Sequence, residues 1–541
     1  MRKSVLAVLA VLVIVAAGCG ADPDLRQLGA GGAPGKPTEV VALDNVFGAQ
    51  GADVRIPVGG TVSWKNSGRN DHNIVAVDED AGWGADGQDF RPGDHYSHAF
   101  AEEGVYEYFC SLHGSKAGGM TGRVLVGSVK VPAPKPDTTV DVAAEASGNT
   151  VRVPADYPTI QKAVDAAQPG DLILISPGTY REAVDVPASK PYLTIRGLDR
   201  AKTVLDGDFE LANGFKVVKA RGVAIENLTA QNFTKNGFFW TGVDGYRGSY
   251  LNAVRNGDYG VYAFESTNGQ FDHSYASGSP DAGFYIGGCQ PCDALITDVT
   301  SEWNGLGYSG TNAGGNLTIA NSTFRFNRAG VVPNSGSYEP LAPQDDNTIV
   351  GNLVYDNNNG KTPAIDISIT AMGNGILIAG GINNHILKNR VIDHRLGGIV
   401  VITYPENADY TWEATGNVVR GNVASGSGLG DLALFHDFDN AEGGGNCFAD
   451  NTFTSTAPKD LEQVVPCEGK GTGDFANGAF DIVRLAVNDG KPASVPYEKT
   501  VLPAIGPQPD MPDAATAPGA PAVQGPPKVD LDAITVPDAP S

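Results

Sequence analysis

Between Tyr106 and Met120 the chain reads YEYFCSLHGSKAGGM, which sets a thiol at Cys110, an imidazole at His113 and a thioether at Met120 in one short stretch. A second imidazole, His72, comes earlier, in WKNSGRNDHN. Two imidazoles and a thiolate in a trigonal plane, with a weak axial thioether, make the ligand set of a blue-copper electron-transfer site. The sulfurs suit Cu(I) and the imidazoles accept Cu(II), so one nearly fixed cage serves both oxidation states. Met120 is one of only four methionines, and a Gly-rich loop is poor core material, which favours ligation over packing. Cys110 stands where a strand runs out into that loop, an awkward place for a buried apolar filler. His95 and His98, in RPGDHYSHAF, read as surface residues, since most histidines bind no metal.

The elements that must hold these groups are strands. TEVVALDN, ADVRIPVGG, TVSWKN, NIVAVDE, VYEYFC and GRVLVG are short, apolar in alternation or throughout, and separated by turn residues, which predicts an all-β sandwich over 37–127. VSWKN followed by HN at His72, and F-x-x-x-G-x-Y-x-Y-x-C from Phe100 to Cys110, closely resemble the plastocyanin-like cupredoxins. That resemblance implies a Greek-key β-sandwich holding one type 1 copper on His72, Cys110, His113 and Met120. It also implies single-electron exchange with a redox partner protein, His113 on an exposed loop being the electron port. Six residues separate His113 from Met120, more than is usual in this family, which bears on the axial bond, the exposure of the site and its potential.

Beyond a Pro-rich linker at 128–150, a helix is expected at 159–167, with Ile160, Ala163, Val164 and Ala167 on one face and Pro169-Gly170 as its stop. Glycines then recur at Gly214, Gly237, Gly260, Gly283, Gly307 and Gly330, in steps of 23 or 24 residues, and again from Gly375 to Gly398. Each is followed by an apolar residue: Phe215, Phe238, Val261, Phe284, Tyr308 and Val331. A constant period with one stacked apolar position marks a solenoid. The period and the wealth of Val, Ile, Thr, Asn and Gly predict a right-handed parallel β-helix over 151–470, capped by the helix. Asn227, Asn252, His273, Asp298, Asn321 and Asn352 form a second alignment, expected to be a structural turn ladder.

The region resembles the pectin-lyase-like superfamily, and TIQKAVDAA with PGTYREAV resembles the openings of pectinesterases and of copper-handling periplasmic β-helix proteins. The catalytic segments of the pectinesterases, polygalacturonases and uronate epimerases are missing, and a fold does not by itself confer an activity. Candidate acid, base and binding groups are Tyr246, Arg247, Asp258, Asp272, His273, Asp281, Glu302 and Arg328. Trp240, Tyr250, Tyr259, Tyr262, Tyr285 and Trp303 are either sugar platforms or stacking residues of the solenoid. Asp345 and Asp346, and His436, Asp437 and Asp439, are calcium candidates or plain solvated loops.

The first residues, MRKSVLAVLAVLVIVAAGCG, read as a signal peptide over 1–18, and the small residues before Cys19 resemble a bacterial lipobox. That resemblance implies a lipidated Cys19, a flexible tether over 19–36 and an extracytoplasmic protein fixed to the membrane only through its lipid. Net charge is −24, which argues against nucleic acid as a partner. It equally opposes a polyuronate not bridged by calcium. Cys289, Cys292, Cys447 and Cys467 remain, and proximity pairs Cys289 with Cys292 and Cys447 with Cys467. Cys289-Gln290-Pro291-Cys292 inside a repeat favours a structural bridge, with copper transfer left open. The Pro- and Ala-rich end of the extension 471–541 is expected to be disordered or loosely docked. Three functions stay open: electron transfer with the β-helix as partner- or cell-wall-glycan-binding scaffold, a polysaccharide lyase, hydrolase or epimerase with the copper domain as accessory, and copper storage or delivery.

Overall fold

The structure, a computed structural model, describes residues 36–48, 53–116, 118–130, 148–407, 410–436, 443–487, 490–522 and 524–540. The expected signal peptide, Cys19, nearly all of the tether and positions 131–147 of the linker lie outside the described residues. The chain divides into two compact units, the second beginning at Ala146.

The first unit is built from β1 (Thr38–Leu43), β2 (Val46–Phe47), β3 (Val54–Ile56), β4 (Thr61–Asn66), β5 (Ile74–Ala76), β6 (Gly84–Ala85), β7 (His95–Ala99), β8 (Gly104–Ser115) and β9 (Gly118–Val126). One sheet runs β2-β1-β4-β7 and the other β3-β9-β8-β5-β6. Along β4, Val62, Trp64 and Asn66 are buried while Thr61, Ser63 and Lys65 are only half so. That is the period-two alternation of a strand with one face on a core. Trp64 meets Tyr108 edge-on at 5.3 Å, and Tyr108 meets Phe47 in the same way at 5.0 Å. Burial pushes the Tyr108 phenol far above its ordinary pKa. Its ring lies over Gly122, where a Cβ would come within 2.4 Å of it, so β9 needs glycine there. β7, which carries His95 and His98, was not expected from the sequence; it pairs antiparallel with β4.

The second unit stacks three parallel sheets of twelve, ten and eleven strands. The N-terminal helix, α1 (Ile160–Ala166), buries Ile160, Ala163 and Val164. Thr159 caps it by accepting from Lys162 N, and the Glu182 carboxylate accepts from Ile160 N and Gln161 N. These acceptors satisfy donors that a helix start leaves without partners. In the third sheet Phe215, Phe238, Val261, Phe284, Tyr308 and Val331 sit in register, one per coil, and Ile376, Ile399 and Leu432 continue the column. All are buried in one continuous core. The outer face of this sheet is also apolar, with Phe239, Tyr262, Tyr285 and Val400 in a second cluster that includes Ala371, Phe480 and Leu485.

The expected turn ladder divides in two. Asn227, Tyr250, His273, Asp298, Asn321 and Gly351 are the residues with left-handed backbone, so Tyr250 and Gly351 hold positions expected for Asn252 and Asn352. Asn252 lies instead on a strand, paired with Thr229 and Tyr275. Asn352 opens a buried amide ladder, in which its Nδ2 donates to Asn389 Oδ1, Asn389 Nδ2 to Asn422 Oδ1 and Asn422 Nδ2 to Asn451 Oδ1, at 3.0, 3.0 and 2.9 Å. Each side chain also accepts from the backbone N–H of the preceding member.

Cys289 is bonded to Cys292, and Cys447 to Cys467. Of the two expectations for the Pro-rich end, disordered or loosely docked, the structure shows a docked segment. It has no core of its own, yet its carbonyls are taken by basic side chains of the coils: Arg196 donates to Ala517 O and Pro518 O, Arg200 to Pro509 O, Arg247 to Ala520 O, Lys388 to Leu531 O and Ile534 O, and Arg390 to Pro537 O. Asn389→Ala would strip bonds from both ladder neighbours and from Ile349 O. At about 1–3 kcal/mol for each buried group left unsatisfied, we expect a loss of about 3 kcal/mol, seen as a lower urea midpoint for the β-helix transition. An unchanged midpoint would show the ladder to be dispensable.

Candidate metal centre

His72 lies on the segment between β4 and β5, whose path is fixed by buried polar groups. Asn66 Nδ2 donates to Asn70 O and Phe90 O, and Asn66 Oδ1 accepts from Gly68 N. Asp44 Oδ1 accepts from Arg69 N and Asn70 N, and stands 3.9 Å from His72 Nε2. The Nδ1 atom of His72 is thereby turned the other way, toward β8. Cys110 and His113 come from the far half of β8, where pairing with β9 breaks after Phe109↔Thr121 and resumes at Gly114↔Gly119. A Cβ on Gly114 would sit 2.7 Å from Met120 N, so this close return of the chain requires glycine.

The two Nδ1 atoms are 3.1 Å apart, and Cys110 Sγ is 3.5 Å from that of His113 and 3.9 Å from that of His72. Donors bound to one transition-metal ion at about 2.0–2.3 Å each have separations of this size. His72, Cys110, His113 and Met120 are exposed by 0, 0, 2 and 1%. The donor set therefore fits a copper ion, and it is the one group of three or more potential metal-binding side chains gathered among the described residues. The longer loop does not open the site, because Gly114 and Ser115 rejoin β9. His113 is buried against His72, with ring centroids 4.9 Å apart, which corrects its expected exposure as an electron port.

Asn73 was not singled out in the sequence, although it directly follows His72. Its Nδ2 donates to Ser111 Oγ at 2.8 Å, its Oδ1 accepts from Ser111 N at 2.7 Å, and its backbone N–H donates to Cys110 Sγ at 3.4 Å. One side chain thus ties the two segments together, and a backbone N–H is aimed at the sulfur. His95 is exposed, and His98 stacks on Trp83 at 5.5 Å with its pKa lowered by burial; neither belongs to the cluster.

Residues 39–127 match the model for copper binding proteins of the plastocyanin/azurin family. Plastocyanin from Scenedesmus fuscus is 34% identical over 82 residues, 14% of this chain and 82% of the relative. Through this domain the chain belongs to the plastocyanin/azurin family of copper binding proteins. Residues 236–423 match the model for a right handed beta helix region. A putative pectinesterase 11 of Arabidopsis thaliana is 34% identical over 86 residues, 14% of this chain, and the chain spans only 24% of that relative's length. The A-module of a mannuronan C-5 epimerase from Azotobacter vinelandii aligns with 58% of this chain and 93% of its own, at 15% identity and a TM-score of 0.41.

The polar candidates on the β-helix do not converge on one groove. Tyr246 and Trp240 are buried in the coil core, and Tyr259, Tyr262 and Tyr285 in the outer cluster, so only Tyr250 and Trp303 of the expected platforms keep partial exposure. Arg247 pairs with Glu226, Asp258 with Lys235 at 3.4 Å, and Asp281 accepts from Tyr259 Oη at 2.6 Å. Arg328 is buried and donates to Pro492 O, Ala493 O, Gly360 O and Thr362 O; burial lowers its pKa to about 10. Asp272 and His273 do come together, 2.8 Å apart, and the hydrogen bond from this carboxylate raises the imidazole pKa. Cys289 and Cys292 are buried, which suits a bridge rather than exchange or copper transfer. Asp345 accepts from Asn383, Asp346 is exposed, and no acidic cluster of metal-binding size forms there among the described residues. His436 is buried, while Asp437 and Asp439 lie outside the described residues.

Asn73→Ala should loosen the bridge between the ligand segments without removing a ligand. Losses for such supporting residues run to about 10–100-fold in metal affinity, readable by chelator competition. Copper retention equal to that of the unaltered chain would show that the bridge does not support the site.

Proposed function

We propose that the chain is an extracytoplasmic, membrane-anchored type 1 copper protein that passes single electrons to and from a partner protein. The convergence of buried His72, Cys110 and His113 donors carries this reading. Copper, when bound, supplies a one-electron couple. His72, Cys110 and His113, together with Met120, would hold it. The protein's part is to keep the donors where they are: Asn73 ties the segments, Asp44 and Asn66 fix the approach to His72, and the rejoined β8–β9 pair closes the loop. Rigid, buried donors keep water out and limit rearrangement between oxidation states. Storage or delivery asks for a metal that leaves readily, which suits this enclosed site less well.

The anchor would be lipid on Cys19, as the residues before it suggest. A Cys19→Ser chain expressed in a bacterium that processes lipoproteins should move from the membrane fraction to the soluble one. Unchanged membrane association would overturn this part of the reading. The β-helix would serve as the scaffold that docks the partner or a cell-wall glycan. A carbohydrate-active β-helix is the second reading; the partial likeness to a pectinesterase and the Asp272–His273 pair favour it.

The soluble ectodomain loaded with Cu(II) should show an intense blue sulfur-to-copper band and narrow copper hyperfine splitting, both lost in Cys110→Ser. A colourless protein with an ordinary Cu(II) signal would sink the electron-transfer reading.

A further inference from the structure

The outer face of the ten-stranded sheet carries a column of which the sequence singled out Glu302 alone. Register aligns Glu302, Arg325 and Tyr355 on successive coils. Tyr275 Oη donates to Glu302 Oε1 at 2.8 Å, Arg325 Nε to Glu302 Oε2 at 2.5 Å, and Arg325 Nη1 to Tyr355 Oη at 2.9 Å. The guanidinium also lies over the Phe326 ring at 5.4 Å. Residues of this column form one wall of a cavity of about 880 Å³, and the C-terminal segment from Val529 to Pro540 forms the other.

That second wall is fastened rather than draped. Lys388 Nζ donates to Leu531 O and Ile534 O, Arg390 Nε donates to Pro537 O, and Ile534 packs with Ala320 and Val350. The cavity is of a size that holds small molecules. Its lining mixes the apolar residues Leu353 and Ile534 with Thr323, Arg325, Asp530 and Asp538. Apolar patches interleaved with donors and acceptors suit a pyranose ring, which offers C–H faces and a rim of hydroxyls.

Charge decides which sugars. Glu302 already neutralises Arg325, and Lys388 and Arg390, bonded to the second wall, offset Asp530 and Asp538, so the cavity offers no surplus positive charge in a chain of net charge −24. A polyuronate would bring like charges together, a repulsion that acts against binding. We propose that this cavity binds a neutral oligosaccharide, with the C-terminal segment as an integral wall. The proposal rests on the glycan-binding reading of the β-helix and is independent of the copper reading.

Titration calorimetry on the full ectodomain would use chitotetraose and cellotetraose as neutral probes and tetragalacturonate as the anionic one. We expect a neutral probe to bind at least about tenfold more tightly than tetragalacturonate, a difference of about 1.4 kcal/mol. Leu353→Trp, which fills the cavity, and a chain ending at Pro527, which lacks its second wall, should each weaken neutral binding at least about tenfold. Both should keep the copper spectrum, which reports on folding of the other unit, and the far-ultraviolet spectrum of the β-helix. Neutral binding unchanged in both variants would overturn the cavity as the site and leave glycan binding standing. Tetragalacturonate binding as tightly would overturn the neutral class, and no binding by any probe would remove the glycan reading together with the proposal.

Discussion

Hydrogen bonding between parallel coils continues only where each coil returns to the same lateral position, so a residue's neighbours along the stack are those one coil before and after it. Whatever the stack buries it must therefore bury repeatedly. For apolar groups this gives the column from Phe215 to Leu432. For polar groups the demand is stricter, because an unsatisfied amide would recur at each level. The ladder from Asn352 to Asn451 meets it by letting each side chain serve the coil on either side. Freedom is left to the turns and outer faces, and that is where Tyr250, His273 and Trp303 stand.

The copper-binding unit follows the opposite logic. Nothing there repeats, and its chemistry depends on bringing two separated segments to one point. The period-two burial of β4 sets its sheet, but the approach of His72 to Cys110 and His113 depends on single side chains at the segment between β4 and β5. Asn66, Asp44 and Asn73 are polar groups in or beside a core, each with partners, and together they determine which nitrogen of His72 faces the sulfur.

Legibility followed these two logics. The solenoid was plain in the sequence because its period is written in glycines and in one apolar position per coil, and α1 because its buried face and stop signal are local. The candidate metal-binding residues were plain because Cys110, His113 and Met120 are unusual residues in an unusual place. The roles of Asn73 and of the Glu302–Arg325–Tyr355 column were not, since each is a common residue whose meaning arises from a partner tens of positions away. Trp240 could be read from the sequence as a sugar platform or as a stacking residue, and Tyr246 as a binding group; only the register reveals that both point inward.

The Pro- and Ala-rich segment is gripped through its carbonyls, by Arg196, Arg200, Arg247, Lys388 and Arg390. Proline cannot donate from its backbone but its carbonyl accepts, so a proline-rich strand offers acceptors without donors of its own to satisfy. Most of its side chains take no part in these bonds. Outside the positions whose side chains also engage the coils or the cavity, such as Asp510, Asp530, Ile534 and Asp538, evolution is then free to rewrite the letters of the strap while the basic residues beneath it stay fixed.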